Sequence, residues 1–308
     1  MKTLSLKLCL IALLVLPMET MAQQSTPISP AAVQQTGVKT HQLESKLMKR
    51  QMPYGVVLPK DYETNQTGRF PVIYLLHGGG GSYQTYLIRP KLIEMFQQHP
   101  VIVVTVEGGV SFYTDSATVP NDKYESYIVQ ELIPEVDKNF RTVAQRNGRA
   151  VAGVSMGGYG AMKFGIKYPQ LFALVCAWSA GVVDASWLKA IETGPYPPDL
   201  KNALLAAFGE GTNTATLEAN DLLKLFANLP ANKVEGLPFF YLDCGTEDDF
   251  GLLRPNRQLA EVMLNKRIAH EYREFPGGHN VTYPSRFPYL FELSDRLLTQ
   301  AKTTTKEK

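Results

Sequence analysis

The sequence predicts an α/β fold: a mostly parallel central sheet with helices on both faces and a cap-like insertion. Three observations predict it. Short, continuous apolar runs alternate with helical stretches, the pattern of strands buried on both faces. The composition is globular, with 44% hydrophobic and 19% charged residues in a chain of 308, which excludes disordered, collagen-like and coiled-coil classes. One stretch, 181–237, breaks the alternation and is far longer than a simple crossover needs.

Taken in order, Lys2 and Lys7 precede the unbroken apolar run Leu8–Leu16, and Thr20-Met21-Ala22 sets small residues where a signal peptidase reads. Residues 1–22 therefore read as an export signal. The run is too short for a membrane span, which needs about 20 residues; an uncleaved N-terminal anchor is the alternative. Residues 23–38 are polar and Pro-bearing and read as a flexible lead-in. A single domain is expected over 39–302. Val38–Leu47 and Tyr54–Leu58 form an opening antiparallel pair. Strands follow at Pro71–Leu76, Val101–Val106, Arg149–Val154, Leu171–Trp178, Phe239–Asp243 and His270–Phe275. Helices are expected at Lys91–Gln98, Asp122–Asn139 (kinked by Pro134), Met156–Tyr168, Arg257–Lys266 and Pro288–Thr299. Inside 181–237, Asp199–Phe208 and Thr216–Leu229 are helix-like, and the whole reads as a lid or cap; a decorative insertion without substrate contact is the plainer alternative.

Charge and cysteine content narrow the function classes. Lys plus Arg number 31 against 29 Asp plus Glu, a net charge of +2, which speaks against nucleic acid as a partner. The chain has three cysteines, too few for a disulfide framework; Cys176 and Cys244 read as buried thiols. No cluster has metal-ligand spacing, so no metal or other cofactor is expected.

Three motifs carry chemistry. Gly153-Val154-Ser155-Met156-Gly157 follows a strand and opens a helix. A serine nucleophile needs such a tight turn, with glycines where a Cβ would collide and helix N–H groups aimed at developing negative charge. His77-Gly78-Gly79-Gly80-Gly81 ends another strand and lets the backbone approach an oxyanion. A Gly N–H from this run, Gly79 being favoured, pairs with that of Met156 as the oxyanion hole; His77 reads as structural. A phosphate loop would need a following Lys-Ser/Thr, which is missing. The acid and base should follow on later strands. Of five histidines, only His279 is placed after a strand at the right end, since His41 precedes the sheet, His99 ends a helix and His270 begins a strand. Glu247, Asp248 and Asp249 all remain candidates for the acid, with Asp243 too early. Gly78, Tyr83, Phe112, Tyr113 and Asn280 are candidate substrate-binding residues beside these motifs.

The chain resembles the serine esterases of the putative-esterase superfamily. That group includes S-formylglutathione hydrolases, mycolyltransferases, and the acetylxylan and feruloyl esterases of the first carbohydrate-esterase family. The resemblance covers about residues 45–300 and rests on Tyr74–Gly79, Ser111–Ser116, Gln130–Pro134, Gly153–Ala161, Asp243–Asp248 and Gly277–His279. It implies an α/β-hydrolase fold, Ser155 as nucleophile, Asp248 as acid, His279 as base, and Gly79 and Met156 at the oxyanion. Phe112, Val281 and Pro284 stand where feruloyl-esterase-like members often carry Trp, a departure that bears on an aromatic acyl group. The expectation is an exported serine carboxylesterase, periplasmic or extracellular, acting on acylated plant-type carbohydrate or another small ester. Alternatives are acyl transfer to a sugar hydroxyl, a thioesterase of the S-formylglutathione type, and a non-catalytic carbohydrate-binding protein on the same scaffold.

Overall fold

The computed structural model describes residues 38–194, 198–210, 214–279 and 285–298. The expected export signal and nearly all of the lead-in lie outside them, as does Asn280. Eight strands form one sheet: β1 (Thr40–Ser45), β2 (Arg50–Val57), β3 (Val72–Leu76), β4 (Ile102–Val106), β5 (Arg149–Val154), β6 (Leu174–Trp178), β7 (Phe239–Gly245) and β8 (His270–Phe275). Their spatial order is β1-β2-β4-β3-β5-β6-β7-β8. The β1–β2 and β2–β4 pairs are antiparallel, and every later pair is parallel.

The apolar runs behave as the two-sided burial rule requires. All five residues of β3 are fully buried; Val72, Tyr74 and Leu76 join one apolar layer, Ile73 and Leu75 the other. Pro53 lies inside β2 but before that strand meets β4, so its missing N–H interrupts no ladder on that side.

The helices are α1 (Pro90–Gln98), α2 (Tyr124–Tyr127), α3 (Ile133–Asn139), α4 (Met156–Lys167), α5 (Ala185–Thr193), α6 (Pro198–Phe208), α7 (Ala215–Asn220), α8 (Leu222–Ala227), α9 (Leu253–Asn265) and α10 (Phe287–Leu297). Three differ informatively from the sequence reading. The long helix expected over Asp122–Asn139 is two α segments joined by a π-helical stretch, Ile128–Leu132, ending just before Pro134. The wider turn absorbs a residue that has no N–H to donate and would clash with the carbonyl one turn back. Helix α5 was not expected; Asp184 caps it by accepting the Trp187 N–H at 2.7 Å. The helix expected over Thr216–Leu229 breaks at Asp221, which caps α8 by accepting the Lys224 N–H.

Strand order places the site. From β3 the chain moves outward to β4 on one side, whereas from β5 it moves to β6 on the other. The loops leaving these two adjacent strands part company there, and open α/β sheets bind ligands in the crevice so formed. The glycine run after β3 and Ser155 after β5 both sit at this point.

Candidate active site

Ser155 lies between β5 and α4 with φ 56° and ψ −116°, a conformation that costs a non-glycine residue of order 1–3 kcal/mol. Backbone hydrogen bonds hold it: its N–H donates to the Trp178 carbonyl at 2.8 Å, and its carbonyl accepts from Tyr159 and Gly181, each at 2.9 Å. The two flanking glycines make the turn possible. A Cβ on Gly153 would stand 2.5 Å from the Gly157 backbone, and one on Gly157 only 2.3 Å from the Leu76 carbonyl oxygen. Met156 is the first residue of α4, so its N–H has no acceptor one turn back within the helix.

The glycine run lies against this turn. A Cβ on Gly78 would be 3.5 Å from the Ser155 Cβ, whereas Gly79 and Gly80 face open space. His77 is fully buried beneath the run. Its Nε2 accepts the Gly108 N–H at 3.0 Å, which leaves the proton on Nδ1 to donate to the Gly78 carbonyl at 2.8 Å. A ring so engaged on both nitrogens is structural. Glu107 completes the support by accepting the Gly109 and Tyr83 amides. Burial alone would raise its carboxyl, but hydrogen bonds from the Gly109 and Tyr83 amides help hold it below the ordinary value.

After β7 and β8 the structure brings an acid and a base together. His279 Nδ1 lies 2.7 Å from Asp248 Oδ2, with side-chain exposures of 10% and 0%. The other carboxylate oxygen accepts the Phe250 and Leu252 amides at 3.0 and 3.2 Å. Burial would raise Asp248; the His279 hydrogen bond and charge, with those amides, keep it below its ordinary value. Glu247 and Asp249 are exposed. Asp243 is committed elsewhere, ion-paired with Arg286 at 2.7 Å. The two loops are stitched by Thr246 N–H to the Phe275 carbonyl and Glu247 N–H to the Gly277 carbonyl, both 2.9 Å.

Other expected residues are placed differently. Tyr83 is half-buried and Phe112 is 7% exposed, its ring packed edge-on against Tyr159, Trp187 and Phe208. Tyr113 departs from the expectation of substrate contact: it is fully buried, and its hydroxyl donates to the His77 carbonyl at 2.9 Å. Cys176 and Cys244 are buried and free. The Cys244 thiol, whose ionisation burial pushes up to about 12, faces Asp248 Oδ2 at 3.9 Å. The sequence reading missed Phe250, 44% exposed, with its ring centroid 4.6 Å from that of His279 in an edge-on contact. No periodicity or spacing marks that residue. Among the described residues, no group of three or more His, Cys, Asp and Glu side chains is placed to hold a metal ion.

A family model described as Putative esterase matches residues 45–295. The chain belongs to that family. One esterase of Mycobacterium tuberculosis is 32% identical over 242 residues, which are 73% of this chain and 51% of that protein. The chain thus spans about half the length of this relative. An acetyl esterase of Caldicellulosiruptor saccharolyticus is 27% identical over 268 residues, 82% of this chain and 97% of that one. A solved ferulic acid esterase superposes with a TM-score of 0.68 at 27% identity, covering 84% of this chain and 97% of its own. The putative-esterase match runs from the end of β1 into α10, and the eight-stranded sheet with its helices has the α/β-hydrolase architecture of that structural relative.

Proposed function

We propose that the protein is an exported serine carboxylesterase that cleaves acyl esters through Ser155, His279 and Asp248. The observation that carries this reading is the Asp248–His279 pair, held at the same sheet edge as the strained Ser155 turn. Asp248 engages Nδ1 of the imidazole, leaving Nε2 to take the Ser155 proton as the hydroxyl attacks the ester carbonyl. Asp248 fixes that tautomer and stabilises the imidazolium. The Gly79 and Met156 amides stabilise the oxyanion. Collapse of the tetrahedral intermediate expels the alcohol, protonated by His279, and water then releases the acid from the acyl-enzyme by the reverse proton path. Export rests on the N-terminal charge and apolar pattern.

The substrate class is acyl groups on plant-type carbohydrate, with hydroxycinnamoyl esters ahead of acetyl. Relatives carry both activities in their names. Aromatic side chains near the site, Phe250 beside His279 above all, supply the flat apolar area that a cinnamoyl ring needs. The test is kcat/KM on methyl ferulate, feruloylated arabinoxylan oligomers, acetyl-xylan and 4-nitrophenyl acetate, for the natural protein and Ser155→Ala. Turnover should fall on the order of 10⁶ in the variant. A well-folded, fully active Ser155→Ala protein ends the mechanism. A tenfold or greater preference for acetyl-xylan, about 1.4 kcal/mol, reverses the acyl assignment. Cleavage of no ester at all leaves a binding protein on an esterase scaffold.

A further inference from the structure

Phe112 and Tyr113 are consecutive non-glycine residues in the left-handed region, each with φ 52°. Such a pair is unfavourable unless its surroundings hold it. Here the surroundings do so from both sides. The Tyr113 N–H donates to Ser111 Oγ at 3.0 Å, and Ser111 Oγ in turn donates to the Gly108 carbonyl at 2.6 Å. The Tyr113 carbonyl accepts from Lys163 Nζ at 2.8 Å. Lys163 sits on α4, the helix that Ser155 opens, and its side chain is fully buried. It also bonds Thr114 Oγ1 at 2.6 Å and pairs with Glu125 at 2.9 Å. The ring of Tyr113 is clasped between two glycines: a Cβ on Gly108 would be 2.3 Å from it, and one on Gly160 2.7 Å.

What this arrangement holds is the far end of the side chain. The Tyr113 hydroxyl donates to the His77 carbonyl at 2.9 Å, and His77 Nδ1 donates to the next carbonyl, that of Gly78, at 2.8 Å. Two successive carbonyls of the glycine loop are therefore tied to buried groups. No peptide bond among the described residues is cis. In a trans peptide the N–H points opposite to the C=O, so tying these two carbonyls inward turns the Gly78 and Gly79 N–H groups the other way. A Cβ on Gly79 would meet nothing within 4 Å, and one on Gly78 would lie 3.5 Å from the Ser155 Cβ.

We propose that Tyr113 is a positioning residue of the reaction: anchored by Lys163, its hydroxyl fixes the His77–Gly78 peptide plane, and from that fixed plane the next peptide, tied through the Gly78 carbonyl, aims the Gly79 N–H at the oxyanion. This rests on the esterase reading above and extends it to a residue that never touches substrate. It gives a role to the left-handed Tyr113 and to the buried lysine that holds its carbonyl. Without the hydroxyl, the His77–Gly78 peptide loses its anchor while the Gly78 carbonyl keeps its own, and the Gly79 donor built on that loosened plane would be only partly in place when the carbonyl becomes tetrahedral.

Tyr113→Phe removes one oxygen and leaves the ring between its two glycines. Expected are a kcat for 4-nitrophenyl acetate lowered about tenfold, KM within twofold, and affinity for a phenylboronic acid lowered by the same factor as kcat. The boronic acid adds to the serine hydroxyl as a tetrahedral anion and so reads the oxyanion donors without turnover. Three results would overturn the proposal: unchanged kcat, a loss of kcat without loss of boronate affinity, or a rise in KM alone. The lower stability that a purely structural hydroxyl would give leaves the boronate affinity untouched at temperatures where the variant is folded. Ser155→Ala run in parallel separates the two levels. If it abolishes activity and boronate binding while Tyr113→Phe behaves as the natural protein, the esterase reading stands and the positioning role falls. If Ser155→Ala stays active, the reading itself fails.

Discussion

Asp248→Asn separates the proposed acid from its two acidic neighbours. The amide preserves size, and its Oδ1 can still accept the Phe250 and Leu252 N–H groups that Asp248 accepts at 3.0 and 3.2 Å, so the loop should keep its shape. What changes is the 2.7 Å contact with His279 Nδ1. A carboxylate oxygen can only accept there, which forces the proton onto Nδ1 and leaves Nε2 free as base. An amide nitrogen donates instead, which moves the imidazole proton to Nε2, where it faces the serine. The cost of that tautomer change is about 10⁴ in kcat, or about 5.5 kcal/mol of barrier. Glu247→Gln and Asp249→Asn alter exposed groups and should stay within about threefold of the natural protein. Stability should follow the same partition. Because the folded pKa of Asp248 lies below its ordinary value, its carboxylate contributes stability above the unfolded pKa and loses it as pH falls through the folded one. The assay is kcat/KM on 4-nitrophenyl acetate for the three variants, with a thermal melt for each. Equal, mild losses at all three positions would refute the assignment, as would a loss at Asp249 that exceeds the loss at Asp248.

Further outcomes follow from other parts of the structure. Gly153→Ala sets a Cβ 2.5 Å from the Gly157 backbone and should cost about 1–3 kcal/mol in denaturant unfolding while displacing Ser155; an active, equally stable variant would contradict the close approach. Burial alone would raise Glu125, but the Lys163 and Lys167 charges draw it down from 4.5 to about 2. Ionised Glu125 should therefore contribute stability above pH 4.5 that is progressively lost as pH falls toward 2, and Glu125→Gln should flatten that limb of a stability-versus-pH curve. At neutral pH the same variant leaves buried Lys163 with less compensation and should lose several kcal/mol. Phe250→Ala should change the melting temperature little, because the ring is 44% exposed, yet lower kcat/KM for methyl ferulate more than for 4-nitrophenyl acetate; equal effects on both esters would deny the ring a role in acyl binding.

The parts of the fold legible in the sequence are those set by local chemistry. Strands β3 to β7 announce themselves because strands buried on both faces must be largely apolar, and Ser155 does so because its turn demands glycines at two fixed offsets. The acid–base loops follow from strand ends. What escaped depends on packing between segments distant in the chain. Nothing local to Ser111-Phe112-Tyr113 reveals that the tyrosine turns inward to a loop formed more than thirty residues earlier. Proximity in sequence to a catalytic loop suggested substrate contact, whereas the side chain instead fills the space two glycines leave. Helix α5 did carry a signal in Asp184, an N-cap followed by Trp187, but the surrounding Pro and Gly content masked it. The break at Asp221 is of the same kind: a good cap residue can end one helix and begin another, and only tertiary packing decides.

The position of β8 bears on how the protein loses function when heated. This strand is one of the two edges of the sheet, pairs with β7 alone, and is half-exposed to exposed along its whole length. It leads directly into His279. By contrast, β5, which delivers Ser155, is buried throughout at the centre. Opening free energies in a native protein are lowest at such margins and reach the global value only in the core. The base is thus mounted on the part of the sheet that frays first and the nucleophile on the part that frays last. Catalytic inactivation should accordingly run ahead of global melting and reverse on cooling, since the centre of the sheet still offers the template onto which the margin closes again.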